Sequence, residues 1–294
     1  MQILQLSPEF ERIVGLDRKI EEIGNGYQVA EGPLWWREGG YLLFNEVRGN
    51  RRWQWTPAAG VSLIQEPSNN ANGLTRDQQG RQILCEGGAH RVTRIEEDGN
   101  ITVVADNYQG KTLNRPNDVV VKSDGSIYFT DPGAPDPDLE LDFAGVYRVS
   151  PDLATITLLV RDFVFPNGLA FSPDENILYI DDYRRGHIRA FDVQANGTLA
   201  LATDRVFCSL REPRPIGPDG PDGMKVDVEG NVYCTGPGGV CILNQEGQHL
   251  GTILTGAQTT NVAWGGADWK TLFITTFGTV GKIQLNIAGV PVPH

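Results

Sequence analysis

Six short segments of this 294-residue chain open on a side chain that carries an oxygen donor. Their first residues are Glu31, Asn72, Asn117, Asn167, Asp222 and Asn261. Each runs into an apolar stretch, as in Glu31-Gly32-Pro33-Leu34-Trp35, Asn167-Gly168-Leu169-Ala170-Phe171 and Asp222-Gly223-Met224-Lys225-Val226. Asn and Asp ahead of a strand are common turn residues, so any one of these has a local explanation. Glu31 does not, because glutamate is a poor turn former and Gly32-Pro33 follows it. If the six converge, two carboxylates and four amides share one desolvated space, where unpaired charge is costly. A divalent cation resolves this. Mixed charged and neutral oxygen donors suit Ca2+ better than Zn2+, which prefers Cys and His; Mg2+ or Mn2+ would substitute.

Convergence needs a scaffold, and the spacing supplies one. Heads at 31, 72, 117, 167, 222 and 261 are separated by 41, 45, 50, 55 and 39 residues, about one β-propeller blade each. A second β-rich run follows every head, for example Ser126-Ile127-Tyr128-Phe129-Thr130 and Ile177-Leu178-Tyr179-Ile180-Asp181. Tight turns such as Asp124-Gly125 and Glu229-Gly230 separate the runs. Third and fourth runs complete most repeats. The pattern predicts an all-β, six-bladed β-propeller with four antiparallel strands per blade and no helix. The last repeat has room for three strands only. Residues 18–24 read as its missing fourth strand, so an N-terminal strand closes the ring and covers its open edge. A single domain spans 1–294, with 1–15 expected as a loose arm on the rim. The insertions 132–144 and 211–221 are expected over the channel mouth, since loops of that length are often functional.

The net charge of −12 argues against nucleic acid or an anionic membrane as partner. The first twenty residues lack the apolar run of a secretory signal, and no stretch approaches the length of a membrane span. A soluble, cytoplasmic protein is expected. Cys85, Cys208, Cys234 and Cys241 sit among apolar residues and show no metal-type spacing. Buried free thiols are favoured over a Cys208–Cys234 or Cys234–Cys241 disulfide. None of His90, His187, His249 and His294 is a head residue, so a His-based nucleophile relay has little support. No nucleophile elbow, phosphate loop or dinucleotide fingerprint is present.

Several motifs resemble those of the gluconolactonase, regucalcin and senescence-marker family. They are Glu31-Gly32-Pro33, Arg115-Pro116-Asn117-Asp118-Val119, the run from Phe165 to Asp174 and Pro221-Asp222-Gly223-Met224. The resemblance runs from about residue 27 onward and implies a six-bladed propeller. It implies that Glu31, Asn167 and Asp222 bind one divalent metal, Ca2+ or Zn2+. Asn117 would contact substrate or metal, Arg115 would hold the substrate, and Asn72 and Asn261 would support the others. Asn69-Asn70-Ala71-Asn72-Gly73 and Cys85-Glu86-Gly87-Gly88 resemble the bacterial gluconolactonase branch. That branch often has His directly after the Glu; here Gly87 stands there and His90 lies three residues along.

The chemistry then implied is metal-assisted hydrolysis of an activated ester, a D-glucono-1,5-lactone-like sugar lactone opened to its aldonic acid. Asp222 would double as ligand and base. A monomer or homodimer acting on a small molecule is expected. The alternatives are a related metal-dependent hydrolase of organophosphate triesters or other lactones, and a non-enzymatic calcium-binding propeller.

Overall fold

The computed structural model describes residues 3–133, 136–211 and 220–293. Six four-stranded antiparallel repeats follow one another around a central axis. In blade one, Ala30–Trp36, Tyr41–Glu46, Arg51–Thr56 and Gly60–Gln65 pair in sequence order. The innermost strands of the next four blades are Ala71–Arg76, Val119–Val121, Pro166–Phe171 and Met224–Val226. That of blade six is Thr259–Gly265, which packs against blade one and completes the ring.

Alternating side chains explain the layering. Each sheet turns apolar residues to both neighbours, and the core lies between blades. Ile83, Phe129 and Tyr147 fill the space between blades two and three, and Tyr128, Leu178 and Phe191 that between three and four. Trp35 stacks on Phe273 at 5.2 Å where blade one meets blade six. The hairpin turns are fixed locally. Asp227 Oδ1 accepts from the backbone N–H groups of Glu229 and Asn231, both at 2.9 Å. Gly125 takes the positive φ of 87° that its turn requires. All four cysteines are buried, and none forms a disulfide with another.

Strand β1 (Ile3–Gln5), helix α1 (Glu9–Val14) and strand β2 (Glu21–Asn25) precede blade one. β2 pairs antiparallel with Thr279–Gln284 and supplies the fourth strand of blade six, as the missing-strand argument expects. Residues 3–14 are not the loose arm read from the sequence. β1 adds a fifth, outermost strand to blade five, pairing with His249–Leu254. α1 is the one α-helix among the described residues, and it buries Phe10, Ile13 and Val14. Apolar spacing at 10, 13 and 14 is the helical signal, carried by too few residues to stand out. No helix among the described residues is long and apolar enough to cross a membrane.

Candidate active site at the channel mouth

The heads stand where the innermost strands begin. In blades one, two, four and six the pairing register shifts at this point, between Glu31 and Leu34, Ala71 and Leu74, Pro166 and Leu169, and Thr259 and Asn261. Such bulges bend a strand and re-aim its side chains. The residue after the head then meets the next blade. A Cβ on Gly32 would lie 2.1 Å from the Asn72 carbonyl oxygen, and one on Gly168 would lie 2.2 Å from that of Asp222. Gly73 stands in the same relation to Asn117, and Gly223 to the side chain of Asn261. Side chains of the second strands hold the carbonyls behind the heads. Asn45 Nδ2 donates to Asn72 O, and Thr130 Oγ1 to Asn167 O, each at 2.6 Å.

Four heads come together with two carboxylates that the spacing argument does not single out. Glu31 is buried; its Oε2 accepts from Gly32 N at 2.7 Å and from Asn261 Nδ2 at 2.9 Å. Burial, then the charge of Asp118, pushes the Glu31 carboxyl up to about 7. Asp222 is half-buried and raised well above the carboxylate range, by desolvation first and then by Glu31 and Asp118. A hydrogen bond from the Asn167 side chain opposes that rise. Asp118 and Asp181 are buried in the same space and both are raised, chiefly by burial. Lys225 opposes the rise at Glu31 and Asp118.

Three buried oxygens here have no hydrogen-bond partner: Asn167 Oδ1, Asp118 Oδ2 and Asp181 Oδ1. Buried polar atoms are rarely left so. With crowded carboxylates and two amides, they fit an oxygen-ligated divalent cation. Among the described residues no three His, Cys, Asp or Glu side chains form a metal cluster of their own, so a cation here must also draw on amide oxygens. Asp118 was hidden in the sequence because it directly follows a head, in the place glycine takes in four other blades. Asp181 ends an apolar strand run, a position that only the fold turns toward the axis.

The other expected residues line an adjoining cleft of about 400 Å³. Asn72, Asn117 and Arg115 form part of its wall, with His90, Phe165, Pro132 and Gly133. Arg115 is 56% exposed and faces Asp136 at 3.7 Å. The 132–144 insertion thus borders the mouth, apart from 134–135, which lie outside the described residues. Of the 211–221 insertion, 212–219 lie outside them as well. The C-terminal segment lies at the far end of the channel and lines a cavity there. Val290–Pro293 stand beside Lys225, Phe171 and Trp264, and Val290 N donates to Val226 O at 3.1 Å.

Residues 29–278 match the model of the SMP-30/Gluconolactonase/LRE-like region. The chain is 32% identical to a gluconolactonase of Zymomonas mobilis subsp. mobilis, over 98% of this chain and 87% of that protein. It is 26% identical to regucalcin of Xenopus laevis, over 86% and 85% of the two chains. A solved gluconolactonase of Xanthomonas campestris superposes with a TM-score of 0.86 at 33% identity, covering 97% of this chain and 95% of that one.

Proposed function

Since the chain belongs to the SMP-30/gluconolactonase/LRE-like family and is by that kinship a lactone-hydrolysing enzyme, we propose that it opens a sugar 1,5-lactone of the D-glucono type, with one divalent cation at the channel mouth. The observation that carries the metal is Asn167 Oδ1, buried and unpartnered beside Asp222. Glu31, Asn167 and Asp222 would hold the ion, Ca2+ by the donor chemistry, with Zn2+, Mg2+ and Mn2+ as the other candidates. When bound, such an ion supplies positive charge to the ester carbonyl oxygen.

The chain's own groups do the rest. Beside a bound cation, which would keep its carboxyl ionised, Asp222 takes a proton from the attacking water, and its partly exposed position lets it reach one. Asn117 orients the substrate from the cleft wall. Arg115 donates to a substrate oxygen; its exposed pairing with Asp136 is weak and is readily exchanged. The substrate is a small molecule, and an acidic surface offers nothing to nucleic acid. A cytoplasmic monomer or homodimer completes the reading.

The test is a pH-drop assay on D-glucono-1,5-lactone. Chelation is expected to abolish turnover and Ca2+ to restore it, and Glu31→Gln to lower kcat/KM on the order of 100-fold or more. Full activity of Glu31→Gln after exhaustive chelation would overturn the metal reading. A phosphotriester run in parallel separates the organophosphate alternative.

A further inference from the structure

The cleft holds an imidazole that this scheme does not use. His90 caps a single 3-10 turn, Gly87–Ala89, with its backbone in the left-handed region at φ 55°. Its Nδ1 is hydrogen-bonded to the carbonyl oxygen of Asn114. A carbonyl only accepts, so Nδ1 carries the proton, and in the neutral tautomer that this bond selects Nε2 is the acceptor. The ring is half-buried and lines the same cleft as Asn117 and Arg115.

Its anchor is rigid. Asp131 is fully buried, and its two oxygens accept from Asn114 N at 2.8 Å and Arg115 N at 2.7 Å. Asn114 Nδ2 donates in turn to Phe143 O at 2.9 Å. One buried carboxylate therefore fixes both the carbonyl that orients His90 and the backbone that carries Arg115. The cleft wall thus holds an obligate acceptor and an obligate donor on a common frame. A sugar hydroxyl both donates and accepts, and an unsubstituted lactone ring offers no donor at all.

We propose that His90 is a specificity-determining residue for hydroxylated lactones: Nε2 accepts from a ring hydroxyl while Arg115 donates to a neighbouring oxygen. This rests on the lactonase reading above. The experiment compares kcat/KM for D-glucono-1,5-lactone and for δ-valerolactone, the same ring without hydroxyls. His90→Gly and His90→Asn both suit a left-handed backbone, and neither side chain reaches as far as imidazole. His90→Gln restores an acceptor at comparable reach.

Both short variants are expected to lose about 10- to 100-fold on the gluconolactone and less than about threefold on δ-valerolactone, with Gln recovering part of the loss. If one short variant fails to fold, the other carries the comparison. Equal losses on both substrates, or no loss on either, would overturn the assignment of His90. A wild-type enzyme that prefers δ-valerolactone would also overturn it while leaving lactonase activity standing. A wild-type enzyme that hydrolyses neither lactone would instead overturn the reading on which the proposal rests.

Discussion

Glu38 and Glu31 are both glutamates of blade one, and their surroundings drive them in opposite directions. Glu38 takes two hydrogen bonds from Arg76, at 2.6 and 2.7 Å, and the guanidinium lies 4.7 Å over the Trp36 ring. The Arg76 hydrogen bonds, ahead of any other cause, hold the Glu38 carboxyl down at about 2. Its folded value is below its unfolded one, so its stabilising contribution is complete above the ordinary carboxylate value and disappears as pH falls through about 2. Melting curves across pH should therefore show wild type more stable than Glu38→Gln near neutrality, with the two converging as pH falls to about 2. Parallel curves would contradict this. High salt should shrink the gap, because the Glu38 side chain is 62% exposed. Among the described residues no guanidinium pairs with Glu31 and Lys225 offsets its burial only in part, so the same chemistry turns into an open demand for a cation. The six heads were legible because their spacing repeats. Asp118, Asp181 and the orientation of His90 were not, because strand residues declare which way they face only once register and bulges are fixed.

At the scale of elements, the inner strands are held in place by the glycines that follow the heads. Gly168 marks a close approach of blades four and five, against the Asp222 carbonyl, with Asp181 Oδ2 of its own blade beside it. Gly168→Ala must push those blades apart at the site itself. The expected cost is about 1–3 kcal/mol of stability by urea unfolding, as for other overpacked interiors. Its effect on kcat/KM should exceed what the lost stability explains, since both Asn167 and Asp222 move. A fully active Gly168→Ala enzyme would show that the close approach is not needed. The Asn-Gly and Asp-Gly pairs were visible in the sequence as turn signals. Their role as contact points between blades was invisible, because it depends on a neighbour some fifty residues away.

On the scale of the whole molecule, the segment before blade one binds two blades. Phe10 is fully buried over Gly251 on the outermost strand of blade five's own four, and β2 completes blade six. Phe10→Ala removes a ring from a packed site, and a loss of about 3–5 kcal/mol is expected from the urea midpoint. An unchanged midpoint, with rapid proteolysis confined to the first fifteen residues, would mean that this segment opens on its own.

The pairing of β2 with Thr279–Gln284 also sets the order in which the protein can be made. Asn25 lies opposite Thr279, with nearly the whole propeller between them. During synthesis β2 emerges early and has no partner until the last blade leaves the ribosome. Until then the chain is a row of blades with an open edge, the geometry that invites pairing with other chains. Closing so long a loop is slow relative to forming local hairpins. Refolding yield should therefore depend on protein concentration even when each blade forms readily by itself.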